Sequence, residues 1–547
     1  MSAAAETVAI SSETREFLDR THKLFINGEW VDASSGETLA IIDPATEAQI
    51  STIQLANEAD VDKAVAAAQA AFKGEWSKIN SHERTKRMLK LADLIDQNMQ
   101  TLAELEVLDN GCPMFIAQYT ISGYASDFIR YYAGWCTKIH GDTIPVSPMG
   151  VPNGESLTYT RREPVGVVGA IIPWNAPIAM LALKLAPALA TGCTMVIKPA
   201  EITPLTALKV MELVKEAGIP DGVVNLVPGY GETAGAAISS HPDIKKVSFT
   251  GSTAVGQKIV EASMGNLKKV TLELGGKSPV VVFPDADIEA VVMGAIRAAF
   301  FLQGQNCMAG TRLFVHEDIF DQVIQGVAAV AGQMKLGPGL DPESQLGPLI
   351  SAAQRDRVMS YIQSAKDEGA TLICGGEALE GAGYFVQPTL FTHPNQDITI
   401  AREEVFGPVL FATSFGDDDL ETIAAEANKS IYGLSGSVWT KDIAVGLKMA
   451  SLIDSGQVSV NCHAAVDPAI PFGGNKMSGW GREFGEEGLE PYLKTKATTV
   501  LFSQPPMKSE TIFPADATHS WKDIKLSFRL DDALKRHLTG IRIVRAE

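Results

Sequence analysis

Between residues 165 and 276 five short β-branched runs recur: VGVVGAII, TMVIK, VVNLV, KKVSFTG and KVTLELGG. They end near positions 172, 197, 227, 249 and 273. Helix-like stretches such as TALKVMELVKEAG and ETAGAAISS separate most of them. A spacing of roughly 22 to 30 residues is the beat of βαβ units. Runs that are apolar throughout, rather than alternating, belong to a parallel sheet covered on both faces. The fold class read from this pattern is α/β. In such sheets ligands bind outside the carboxyl ends of the strands. The residues after each run are therefore the informative ones: Pro173-Trp174-Asn175, Lys198-Pro199-Ala200-Glu201, Gly229-Tyr230-Gly231, Thr250-Gly251-Ser252 and Glu273-Leu274-Gly275-Gly276.

The rest of the chain is organised around this pattern. In DVDKAVAAAQAAF, residues Val61, Ala64, Val65, Ala68 and Phe72 share one face of a predicted helix. A second α/β stretch opens at SPVVVF near 278 and runs to about 478. Segments of about 143–162 and 482–502 read as strands outside both patterns. Residues 1–20 are polar and expected to fray. Beyond 502, SQPPMK reads as a linker, LDDALKRHL as a short helix and IRIVR as an edge strand. The longest apolar run, VGVVGAIIPW, has ten residues, about half of what a bilayer span needs. The N-terminus has neither the basic start nor the apolar centre of a signal peptide. A net charge of -19 argues against a nucleic-acid partner, because phosphate binding needs basic patches. Six scattered cysteines without a CxxC pair argue against a disulfide framework and a zinc cluster, and suggest a reducing compartment, the cytoplasm.

One cysteine stands apart. In FFLQGQNCMAGTR, Cys307 lies between Gly304 and Gly310, among small and polar residues. Flanking glycines allow close approach of a ligand, and a thiol is a nucleophile only where its thiolate is reachable. An inert thiol is the alternative reading. Glu273 ends an apolar strand, where desolvation would raise its pKa toward that of a general base; a helix cap or salt bridge explains it as well. Asn175 could point its amide at an oxyanion, or simply close an Asx turn. FTGSTAVG is a glycine turn that opens a helix, a phosphate-friendly terminus without the GxGxxG spacing. In KPAE, Lys198 and Glu201 could bond ribose hydroxyls, or form a solvated pair. Glu404 and Phe406 in EEVFGP could hold a ribose beside a flat ring, or form a surface turn.

Taken together, PWN, KPAE, FTGS, LELGGKSP, GQNC, EEVFGP and PFGGNKMSG, in this order, resemble the NAD(P)-dependent aldehyde dehydrogenase superfamily over about nine-tenths of the chain. The resemblance implies a Rossmann-type NAD-binding domain (22–142 and 163–275), an α/β catalytic domain (276–478) and a small β oligomerisation element (143–162 and 479–502), followed by an extension, 503–547. It implies Cys307 as nucleophile, Glu273 as general base and Asn175 in the oxyanion hole. Cofactor contacts carried over by position are Ile171, Ile172, Pro173, Trp174, Lys198, Glu201, Gly231, Phe249, Thr250, Gly251, Ser252, Val255, Leu274, Gly275, Gln354, Glu404 and Phe406. Arg357 stands where relatives often carry Lys. Glu201 favours NAD over NADP, because a carboxylate repels a 2'-phosphate. The implied aldehyde tunnel comprises Ala176, Met180, Leu183, Asn306, Met308, Ala464, Ala465 and Phe472. Its small residues and lack of cations point to a bulky, uncharged aldehyde, aromatic or long aliphatic, phenylacetaldehyde being one candidate. The expected protein is a cytoplasmic homodimer or homotetramer that holds no metal. The rival readings are a relative that passes its acyl group to coenzyme A, and a non-catalytic protein of the same fold.

Overall fold

The computed structural model describes residues 9–146 and 155–502. The predicted linker, helix and strand beyond 502 lie outside the described residues. The described residues fall into two compact units: 9–140 with 162–496, and 141–146 and 155–161 with 497–502.

The larger unit is built on two sheets. The first has eight strands, in the order Gly479–Trp480, Lys269–Glu273, Ile244–Thr250, Val167–Ile171, Thr194–Lys198, Val224–Leu226, Leu24–Ile26, Glu29–Val31. Its five central strands are the five apolar runs, and they are mutually parallel. The strand Val167–Ile171 has the next two in chain order on one side and the last two on the other. The crossovers therefore reverse direction between it and Ile244–Thr250. At such a switch point the loops on neighbouring strand ends diverge and leave a crevice. Each of these five strands except Ile244–Thr250 and Lys269–Glu273 is buried along its whole length. Helix Glu58–Lys73 packs against this sheet through Val61, Ala64, Val65 and Ala68. Phe72, expected on that face, is only half-buried.

The second sheet has seven strands: Thr371–Cys374, Thr389–Thr392, Val409–Phe415, Arg312–His316, Pro279–Val282, Ser435–Trp439 and Gln457–Val460. All but the first pair in parallel. Residues 479–496, grouped above with the oligomerisation element, belong to this larger unit. A separate three-stranded sheet has the order Leu493–Leu501, Ser156–Pro164, Thr143–Ile144, with the Thr158 and Thr499 hydroxyls 3.1 Å apart.

The N-terminus departs from expectation. Residues 12–18 form a helix rather than a frayed tail. Ser11 caps it, and Ser11, Thr14 and the distant Glu104 share a hydrogen-bonded cluster. Phe17 and Leu18 enter the core. Two apolar side chains and a carboxylate 90 residues away supply what local composition does not show.

Candidate active site

The chain reaches Cys307 through an unusual turn. Helix Ile288–Phe300 stops, and Leu302 and Gln303 then adopt left-handed backbone with φ of 53° and 58°. Non-glycine residues resist that region. Here the turn is held from outside: Gln303 Nε2 donates to the carbonyls of Gly111 (3.2 Å) and Pro348 (3.1 Å). Beyond it the chain forms a tight turn, with Ala309 N–H donating to Asn306 O at 3.0 Å and Met308 N–H to Asn306 Oδ1 at 3.1 Å. A Cβ on Gly276 would stand 2.2 Å from Cys307 O, so only glycine admits the loop at this distance.

Cys307, Glu273, Asn175 and Thr250 line one inner chamber of about 50 Å³, together with the predicted tunnel residues Ala176, Met180, Leu183, Asn306, Met308 and Phe472. The structure adds Thr120, Tyr124, Ala179, Phe301, Leu302, Val466, Glu483 and Phe484. Ala464 and Ala465 lie farther out, in a vestibule of about 500 Å³ shared with Tyr119, Tyr124, Arg297, Phe301, Trp439 and His463. Arg297 is exposed, and is the one Arg or Lys of either lining. Phe301 was within reach of sequence reading, standing in the quoted FFLQGQNC stretch. Tyr119 and Tyr124 were not, because they come from a helical segment near 120 with no link in sequence to the thiol.

The electrostatics separate the two reactive groups from bulk behaviour. Burial, then the charges of Glu404 and Glu273, push the Cys307 thiol up to about 12. The main-chain N–H groups of Met308 and Cys307 act in the opposite direction. Glu273 is 3 % exposed, and neither carboxylate oxygen has a hydrogen-bond partner. Burial, reinforced by Glu483, raises its pKa well above the usual range, while Lys184 opposes the rise. Lys184 is a lone cation in the apolar helix Pro177–Thr191, and it pairs with Glu483. That isolated lysine was the sequence signal for this buried pair. Asn175 is held twice: its side-chain Nδ2 donates to Gln305 O at 2.9 Å, and its main-chain carbonyl accepts from Asn110 Nδ2 at 3.2 Å.

The remaining predicted residues gather around the strand ends. Ile171 closes its strand, and Ile172 N–H donates to Lys198 O at 3.1 Å. Trp174, next to Pro173, meets Phe406 edge to face at 5.2 Å. Lys198 is buried, with Nζ 3.1 Å from half-buried Glu201. Phe249 and Thr250 end strand Ile244–Thr250, Gly251 N–H donates to Glu273 O, and Ser252 caps helix Thr253–Ser263 by accepting from Val255 N–H. Leu274 N–H donates to Ser478 O at 2.9 Å. Glu404 accepts from Gly276 N–H at 2.9 Å, and burial pushes its pKa up to about 7. Its carboxylate fills the space beside Gly275, where a Cβ would lie 2.4 Å away. Gln354 Nε2 donates to Phe406 O at 2.8 Å, and Arg357 to Glu404 O at 3.2 Å. A Cβ on Gly231 would meet open space.

This donor set fits a dinucleotide. The Lys198–Glu201 pair offers one donor and one acceptor to a ribose diol. The N-terminus of helix Thr253–Ser263 suits a pyrophosphate. Glu404 suits a second ribose, beside the Trp174 and Phe406 rings. Among the described residues no cluster of His, Cys, Asp and Glu could hold a metal ion.

Fold and strand-end donors fit the class of NAD-dependent oxidoreductases. Residues 30–498 match the aldehyde dehydrogenase family. Aldehyde dehydrogenase 1 of Tanacetum cinerariifolium is 48% identical over 88% of this chain and 96% of its own. The mitochondrial aldehyde dehydrogenase of Rattus norvegicus is 46% identical over 92% of this chain and 96% of its own. The NAD+ complex of the Bacillus cereus aldehyde dehydrogenase superposes with a TM-score of 0.88 at 46% identity, covering 91% of this chain and all of that one. The chain belongs to the aldehyde dehydrogenase family.

Proposed function

We propose that this protein oxidises a bulky, uncharged aldehyde, aromatic or long aliphatic, to its carboxylic acid with NAD. The observation that carries the reading is the apolar inner chamber, which holds one thiol and one unpartnered buried carboxylate and opens into an aromatic vestibule. The Cys307 sulfur, once deprotonated, attacks the aldehyde carbon. Asn175 Nδ2 and the Cys307 main-chain N–H stabilise the oxyanion, each donor contributing about 3 kcal/mol. NAD, when bound, supplies the hydride acceptor, and its positively charged ring favours the thiolate. A thioester on Cys307 results. Glu273 then takes a proton from water, which attacks that thioester and frees the acid. A carboxylate with a raised pKa is the stronger base for this step.

The same reading assigns residues 22–142 and 163–275 to cofactor binding, 276–478 to catalysis, and 143–162 with 479–502 to assembly as a homodimer or homotetramer in the cytoplasm. Comparing kcat/KM for acetaldehyde, a long alkanal, phenylacetaldehyde and an ω-carboxylated alkanal tests the substrate class. Phenylacetaldehyde or the long alkanal should lead. A clear preference for acetaldehyde would refute bulk, and a preference for the carboxylated compound, which Arg297 could pair with, would refute the lack of charge. Free acid should form at the same rate with and without coenzyme A.

A further inference from the structure

His463 is not accounted for by the chemistry above, although it lines the vestibule and its ring reaches the nucleophile's loop. Nε2 lies 2.8 Å from the carbonyl of Met308, and Nδ1 lies 2.9 Å from the hydroxyl of Ser437. A carbonyl can only accept, so Nε2 carries the hydrogen. In the neutral ring Nδ1 then accepts from Ser437, and the surrounding protein holds the imidazole below its usual pKa by desolvation.

The main chain converts this contact into a constraint on the thiol. The Met308 carbonyl and the Ala309 N–H belong to one rigid peptide unit. Ala309 N–H donates to Asn306 O, and that carbonyl shares a second rigid unit with Cys307 N–H. Fixing the first unit therefore fixes the second, and with it the N–H that faces the sulfur. A Cβ on Gly310 would stand 2.9 Å from the His463 ring, so the glycine leaves room for the ring over this loop. The loop that carries His463 is itself held: Asn461 exchanges hydrogen bonds with Thr440 at 3.0 and 2.9 Å, and Ala465 O accepts from Gln457 at 2.6 Å. Ser437 sits on a fully buried strand of the second sheet.

We propose that His463 is a positioning residue for the oxyanion hole, which ties the turn at Cys307 to strand Ser435–Trp439 through two relayed peptide units. The proposal rests on Cys307 being the nucleophile. His463→Gln places an amide nitrogen close to the Nε2 position and keeps the bond to Met308. His463→Asn keeps an acceptor near Ser437 and loses that bond. Steady-state kinetics and thermal midpoints of both variants, with Ser437→Ala and Cys307→Ala alongside, form the test. The expected result is a kcat about ten- to hundred-fold lower in His463→Asn with KM for NAD unchanged, a smaller fall in Ser437→Ala, and recovery to within a few-fold of wild type in His463→Gln. Equal kcat in His463→Asn and wild type would overturn the proposal. So would an equal fall in His463→Gln and His463→Asn that follows their thermal midpoints. Ser437→Ala leaves the ring in place and gives a reading should the His463 variants fold poorly. Activity retained in Cys307→Ala would instead overturn the nucleophile assignment, and His463's role with it.

Discussion

At the scale of single residues, the chamber combines groups that the sequence displays openly with others that it hides. Glu201 follows the strand Thr194–Lys198 in a short, readable motif and pairs with Lys198 at 3.1 Å. Its charge disfavours a 2'-phosphate. Replacing it by Ser or Gln should raise the NADP-to-NAD ratio of kcat/KM by about tenfold, equivalent to about 1.4 kcal/mol; an unchanged ratio would remove Glu201 from cofactor choice. Glu273→Gln should spare the first turnover and stop the second, since only the water step needs the base. Rapid mixing should show a burst of about one NADH per active site and then a rate about 10²- to 10⁴-fold below wild type. Motif order made Cys307, Glu273 and Glu404 legible. His463 was not, because its partner, Met308, lies 155 positions away. A histidine in a loop has no signature until the contact is seen.

At the scale of elements, the five strand ends read from the sequence fall within one residue of those observed, because apolar runs bounded by Gly, Pro and polar residues leave little freedom of register. The helix Met99–Asn110 was harder to read. Every residue from Thr101 to Asn110 is buried, including Glu104, Glu106 and Asp109. A helix enclosed on all sides has no polar face for periodicity to reveal. Its Glu106 accepts from Ile178 N–H, and burial pushes its pKa from 4.5 up to about 7. Between these values the folded chain keeps a proton that the unfolded chain releases. Stability therefore falls as pH rises through this window, by about 3 kcal/mol from this residue. Urea unfolding at about pH 5 and about pH 8 should show a smaller decline in Glu106→Gln than in wild type; equal declines would place the titration elsewhere.

At the scale of the whole molecule, the larger unit brings residues from the strand ends of one sheet together with a turn between helix Ile288–Phe300 and strand Arg312–His316 of the other. Helical and strand periodicity report each sheet alone, so the βαβ beat gave the class of fold and not this meeting. A ligand held by the strand-end loops and by Glu404 should stabilise the native state as one body. At 100 times its Kd, NAD should add about 2.7 kcal/mol to the unfolding free energy, visible as a higher thermal midpoint, and Glu201→Ser should reduce that gain at equal NAD concentration. No rise in midpoint with saturating NAD would contradict the cofactor assignment.

Tyr119 and Tyr124 meet edge to face at 5.5 Å on the wall of the outer cavity. Among the described residues no hydrogen bond joins either phenol to residues 305–310. Tyr119 lies on the outer wall and not in the chamber, so its side chain can change while the sulfur, its carboxylate and the backbone donors stay as they are; Tyr124 borders the Cys307 chamber as well. Diet and reaction are thereby inherited separately: descendants of this chain can acquire new aldehydes by redrawing a doorway, without relearning how to oxidise them.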